Sequence, residues 1–332
     1  MKRIRIVIIL AMIALIGVAQ QRNVELFGQS TLKVSEVRIN TAESDFGATL
    51  VGDTLFFTSI KSRYNKQGKK NRKQQKFYGI FKAVVGQDGD LTGWRKNVEE
   101  FSTPYHDGSV SSWCAKTGEL FLTQTNVPQL RYTLLPTEYN NLKISIAKKT
   151  GPKWEVVEEF PFNNSGYSVA HPAINETGDT LVFAGDMPGG FGQADLYLSV
   201  REDKEWGNPV NLGSRFNTSG KEEFPFLLRN KDGETCLVFS SDRRGGRGGM
   251  DLYYTKLNDP DSKIIPFESP VNSPSDDFAL SFFPEKGLGY FSSNRKGTGG
   301  DDIYKITFNT SPEFAEGLHH TNTEGIASET TH

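Results

Sequence analysis

Apolar residues occur in short runs along most of this chain, each run following a glycine-centred turn. Leu55-Phe56-Phe57 follows Gly52-Asp53, Leu120-Phe121-Leu122 follows Gly118, Leu181-Val182-Phe183 follows Gly178-Asp179, Leu237-Val238-Phe239 follows Asp232-Gly233, and Tyr290-Phe291 follows Gly287. Gly-Asp and Asp-Gly between alternating apolar residues are strong short-range hairpin signals. After the first twenty residues no stretch repeats its apolar positions at helical spacing over three turns, so the pattern predicts an all-β protein.

The runs belong to a repeat with a period of about 50 residues, as propellers and solenoids show. Three copies align directly: Ala170-His171-Pro172 to Asp195-Leu196-Tyr197, Glu223-Phe224-Pro225 to Asp251-Leu252-Tyr253, and Asp277-Phe278-Ala279 to Asp302-Ile303-Tyr304. Two upstream copies keep the same order with longer inserts, from Asp45-Phe46-Gly47 to Gly79-Ile80-Phe81 and from His106-Asp107-Gly108 to Leu142-Lys143-Ile144. Each supplies a strand, a turn, a second strand, a connection and a third strand. Segments opening on Trp94, Trp154 and Trp206 supply a fourth. Four-stranded units repeated around an axis predict a five-bladed β-propeller. A six-bladed ring needs a copy hidden in the long second repeat. The fifth copy stops at Phe308 after three strands, and the alternating segment from Val34 to Asn40 has no copy of its own, so it is expected to complete the last blade.

The chain ends read differently. Lys2, Arg3 and Arg5 precede an apolar run and then Gly17-Val18-Ala19, the pattern of a cleaved signal peptide over residues 1–19. Residues 20–32 follow as a linker, 33–309 as the propeller, and 310–332, poor in large apolar side chains, as a disordered tail. Export to the periplasm or outer membrane is expected, with peripheral rather than integral membrane association.

A formal net charge of −2 gives no bulk attraction to nucleic acid, so a charged partner has to be met by a local patch. Cys114 and Cys236 fall in the second and fourth copies, which are not neighbours in a ring, and are expected to be free, buried thiols.

The phrases Phe239-Ser240-Ser241-Asp242-Arg243 with Gly248-Gly249-Met250-Asp251-Leu252-Tyr253, and Phe291-Ser292-Ser293-Asn294-Arg295 with Gly299-Gly300-Asp301-Asp302-Ile303-Tyr304, resemble the PD40 repeats of the WD40-like, TolB-related propeller family. The style with Gly-Gly ahead of Asp-Leu-Tyr is similar to envelope proteins of Bacteroidetes. The resemblance covers residues 33–308 and implies an envelope scaffold, within an assembly linked to OmpA-like proteins or to type IX secretion.

The glycine-rich connections around Gly189, Gly245 and Gly297 precede strands, whereas a phosphate cradle precedes a helix. They are expected to be wide loops using glycine for positive φ, with Asp195, Asp251 and Asp302 accepting their backbone N–H bonds. Charged residues opening the first strands, namely Asp45, His106, Asp107, His171, Glu223 and Asp277, are expected at the mouth of the central channel. Solvation or pairing with Arg215, Arg243 and Arg295 is the leading reading for them; a cation or polar ligand, and glycoside hydrolysis by two carboxylates, are the alternatives. Because these acids recur at equivalent repeat positions, they read as structural, and no catalytic residue, metal site or cofactor is assigned.

Function is expected in the two inserts. The first runs Lys61, Arg63, Lys66, Lys69, Lys70, Arg72, Lys73 and Lys76 with no acid among them; the second carries Leu130, Tyr132, Leu134, Leu135 and Tyr139. On adjacent blades they would set a basic arm beside an apolar one, suited to an envelope protein or an anionic cell-surface component.

Overall fold

The computed structural model describes residues 32–61, 77–103, 105–126, 141–230 and 232–308. They form a five-bladed propeller, in agreement with the repeat count. Blade 1 comprises β2 (Asp45–Val51), β3 (Thr54–Lys61), β4 (Phe77–Val85) and β5 (Leu91–Asn97); blade 2 comprises β6 (Asp107–Cys114), β7 (Glu119–Thr125), β8 (Leu142–Thr150) and β9 (Lys153–Glu159). Blade 3 runs β10 (Val169–Ile174), β11 (Thr180–Gly185) and β12 (Asp195–Glu202), and its fourth position is split into β13 (Glu205–Trp206) and β14 (Val210–Asn211). Blade 4 runs β15 (Glu222–Arg229), β16 (Thr235–Ser241), β17 (Asp251–Lys256) and the short β18 (Ile265–Pro266), a fourth strand that carries no tryptophan signal. Blade 5 runs β19 (Asp277–Phe283), β20 (Leu288–Ser293) and β21 (Asp302–Thr307). Its outer strand is β1 (Lys33–Glu36), antiparallel to β21 with Lys33 opposite Thr307, so the predicted closing strand is present in a shorter form.

There is no single core. Five apolar clusters fill the five junctions between blades, and alternate side chains of one second strand serve two junctions. Phe57 packs with Tyr290 and Ile303 of blade 5, while its neighbour Phe56 packs with Leu120 and Leu122 of blade 2. Buried on both faces, second strands read as continuous apolar runs. Cys114 and Cys236 are buried, in blades 2 and 4, and neither takes part in a disulfide.

Each innermost strand carries a register irregularity near its third residue. At that place Gly47, His171, Phe224 and Ala279 have φ between 50° and 65°. Turning the backbone there aims an N–H at the preceding blade: Gly47 donates to Ser292 Oγ at 3.0 Å, His171 to Thr123 Oγ1 at 2.9 Å and Ala279 to Ser240 Oγ at 3.2 Å. A left-handed φ in a non-glycine residue is costly, and the recurring hydroxyl acceptor offsets it.

The glycine-rich connections join blades as well. In the connections after β11, β16 and β20, a β-carbon on Gly192, Gly248 or Gly299 would stand 2.3, 1.9 or 2.1 Å from carbonyl oxygens of the next interblade turn. The expectation of positive φ holds at Gly189 and Gly245, but close approach is what excludes a side chain at the later glycines. Asp195, Asp251 and Asp302 do accept loop N–H bonds, from Phe191 and Gly192, Arg247 and Gly248, and Gly299 respectively. The following first strand is then tied in, through Glu222 N–H to Ala194 O, Asp277 N–H to Met250 O and Asp45 N–H to Asp301 O, each within 2.8 Å.

Candidate functional site

Links between blades and the roots of both inserts share one face, at the end of the blades where Asp45, Asp107 and Asp277 begin their strands. These acids do not line the channel mouth as predicted. All three have zero exposure. Asp45 accepts from the N–H and hydroxyl of Thr41, Asp107 from the N–H of Thr103, and Asp277 from the N–H and hydroxyl of Ser273; Glu222 does the same for Thr218 in blade 4. Each carboxylate thus staples the turn four residues upstream, which pulls it under the backbone. Cations complete the arrangement: Arg95 with Asp45 at 3.2 Å, Arg243 with Glu222 at 3.5 Å, Arg295 with Asp277, and Lys61 with Asp107. Arg243 and Arg295 therefore pair as expected; Arg215 instead donates to Thr255, Lys256 O and Ser262 O.

Lys61, too, stands elsewhere than expected. It ends β3, is buried, and bridges blade 1 to blade 2, so it belongs to the frame and not to the basic arm. It occupies the position that Arg243 and Arg295 hold after Phe-Ser-Ser, here Phe57-Thr58-Ser59-Ile60-Lys61. The other predicted partner residues, Arg63, Lys66, Lys69, Lys70, Arg72, Lys73, Lys76, Leu130, Tyr132, Leu134, Leu135 and Tyr139, lie outside the described residues.

An unforeseen element accompanies the acids. Asn40, Asn163, Asn217 and Asn272 each accept from the N–H and donate to the C=O of one residue on a third strand, respectively Ile303, Ile144, Leu196 and Leu252. The signal was present as Asn-Thr/Ser followed four residues later by Asp or Glu: Asn40-Thr41 to Asp45, Asn217-Thr218 to Glu222, Asn272-Ser273 to Asp277.

The channel itself is filled. Its cavity of about 20 Å³, space for roughly one water, is lined by Gly47, Ser109, His171, Phe224 and Ala279 with their neighbours. His171 stacks on Phe224 with ring centres 3.7 Å apart, and an aromatic arc continues through Phe278, Phe46 and Tyr78. Burial holds the His171 imidazole down to about 3, and its Nδ1 has no hydrogen-bond partner. Glu223 is half-buried beside Phe224, and burial pushes its carboxyl above the usual range. Opposite the arc, blades 2 and 3 place only Gly108 and Ala170 at the position of Phe46 and Phe278.

His106 lies between the roots of the two inserts. Its ring lies 5.2 Å from Phe77 and 5.3 Å from Tyr78, and its Nδ1 accepts from the Tyr78 N–H at 3.1 Å, at the root of the first insert. Its carbonyl accepts from the N–H and hydroxyl of Thr125, at the root of the second, at 3.1 and 2.8 Å. Burial, then the charge of Lys61, lowers its pKa. Among the described residues no cluster of His, Cys, Asp and Glu has the make-up of a metal site, and no helix is long and apolar enough to cross a membrane.

No protein-family model matches the sequence, and no curated protein matches it. Solved structures do. An endo-arabinase from Bacteroides thetaiotaomicron is 14% identical, with a TM-score of 0.50 over 83% of this chain and 97% of that one. The family-93 α-L-arabinofuranosidase of Fusarium graminearum, solved with arabinobiose, is 11% identical with a TM-score of 0.49 over 84% and 98% of the two chains. A TolB-like protein from Agrobacterium tumefaciens is 11% identical with a TM-score of 0.45 over 84% and 98%. At such identities the likeness is one of fold, and what this chain is similar to is the β-propeller.

Proposed function

We propose that this protein is a non-catalytic binding scaffold of the cell envelope, exported and peripherally attached, which docks a protein or anionic surface component on its insert-bearing face. The observation that carries this is the junction at His106. One residue braces Phe77 and Tyr78 on one side and Thr125 on the other, so the basic and the apolar insert spring from adjoining roots. Apolar anchors beside positive charge suit a protein interface. The recurring acids are occupied in turns and ion pairs, which supports a structural role for them. Membership of an assembly linked to OmpA-like proteins or to type IX secretion is the finer form of this reading, carried by the repeat style.

A second reading is glycan binding or hydrolysis at the channel mouth. The half-exposed aromatic arc of Phe46, Tyr78, Phe224 and Phe278, together with Glu223, favours it, since sugar rings stack on aromatic faces. Pull-down from envelope extract separates the two readings. The scaffold reading expects partners captured by the intact protein to be lost when residues 62–76 are deleted, while arabino-oligosaccharides show no heat of binding. Undiminished capture without that segment rejects it; saturable oligosaccharide binding abolished by Phe46→Ala supports the second.

A further inference from the structure

On the opposite face, the β10–β11, β15–β16 and β19–β20 turns enclose a pocket of about 150 Å³. Phe226, Leu227, Leu228, Phe282 and Pro284 give it an apolar wall. Arg229, its side chain 44% exposed and paired with Glu176, stands on its rim. An apolar cavity of this size accepts a benzene ring.

The chain itself passes this pocket. Phe282, part of its wall, stacks on Phe308 with ring centres 4.6 Å apart, and Phe308 is the last described residue. Within residues 309–332 there is a single aromatic residue, Phe314, six positions further on. Six residues of extended chain reach about 20 Å, enough to turn back onto the face being left. Glu313 and Glu316 flank Phe314, and Arg229 offers them a cation.

We propose that the pocket between blades 3, 4 and 5 is the seat of this chain's own C-terminal segment, with the Phe314 ring inserted against Phe226, Leu228 and Phe282. The polar composition that predicts a disordered tail is an average over the whole segment; one anchored ring fixes only the residues leading to it.

The test uses the full chain and a fluorescein-labelled peptide carrying the sequence of residues 309–318. In the wild-type protein the tethered segment competes at a millimolar effective concentration, so the peptide binds about ten-fold or more weakly than it binds the Phe314→Ala chain. A peptide with alanine at the Phe314 position fails to bind, and Leu228→Trp, which fills the pocket, removes binding from the Phe314→Ala chain while circular dichroism reports a folded propeller. Equal binding to wild type and Phe314→Ala, or binding to neither, overturns the assignment. Stronger competition by a peptide of residues 24–31, which contains Phe27, also overturns it and gives the pocket to the segment before β1.

Discussion

Lys61 and Asp107 form an ion pair across the junction of blades 1 and 2, the lysine 9% and the aspartate 0% exposed at the side chain. Elsewhere the equivalent cation serves its own blade, as Arg243 does Glu222 and Arg295 does Asp277. Removing one partner of a buried pair leaves an uncompensated charge and costs about 3–5 kcal/mol. Lys61→Met is therefore expected to lower the unfolding free energy from urea titration by that order, and Lys61→Met with Asp107→Asn to recover much of the loss. A double mutant no more stable than Lys61→Met alone would show that the pair is not what holds this seam.

The bridging asparagines make a sharper case. Asn272 is 1% exposed and satisfies both backbone groups of Leu252, itself fully buried. Asn272→Ala orphans a donor and an acceptor at a cost of about 1–3 kcal/mol each. Asn272→Asp keeps the acceptor but sets a carboxylate oxygen against the Leu252 carbonyl and buries an unpaired charge, so equilibrium unfolding at neutral pH should rank it below alanine.

Glycine substitutions should separate into two classes. Gly52 has φ of 62° and open space, with nothing within 4 Å of where a β-carbon would stand, so Gly52→Ala meets only the left-handed backbone penalty of about 1–2 kcal/mol. At Gly248 a β-carbon falls 1.9 Å from the Ser275 carbonyl oxygen, and the junction between blades 4 and 5 has to shift. Gly248→Ala is expected to cost several times more by thermal unfolding, and equal costs would contradict the close-approach account.

Acid should weaken the ring through His171. Its folded pKa lies near 3, below the ordinary value of 6.5, so below 6.5 the unfolded chain takes up a proton that the folded chain refuses. Stability is then complete above pH 6.5 and falls by up to about 1.4 kcal/mol per pH unit as pH drops toward 3. The lowered pKa of His106 acts in the same direction. His171→Asn, a residue that tolerates the φ of 52°, should flatten the profile between pH 4.5 and 6.5; an unchanged slope would remove His171 as its source.

The blade number, the closing strand and the absence of a Cys114–Cys236 disulfide were legible in the chain because turn chemistry and alternation are local signals. The channel acids were not. Whether the first residue of a strand faces the axis or folds under a turn is decided by its hydrogen bonds to the turn four residues upstream, and a carboxylate opening a strand looks the same in either case. Lys61 borders a lysine-rich stretch, so composition assigns it to the basic arm, while its alignment with Arg243 and Arg295 assigns it to the frame. The Asn-Thr/Ser spacing ahead of Asp45, Glu222 and Asp277 is readable and ties these three acids to turns, whereas Asp107 follows Ser102-Thr103 without the asparagine.

The pairing of Lys33 with Thr307 has a consequence for orientation. Both ends of the described chain leave from one side of the disc, a few ångströms apart across a single strand ladder, and the two inserts root on the other side. A tether at either end, whether lipid-bound, protein-bound or covalent, would hold the disc like a dish on a stalk and turn the roots at Lys61, Phe77, Thr125 and Leu142 away from whatever it is fastened to.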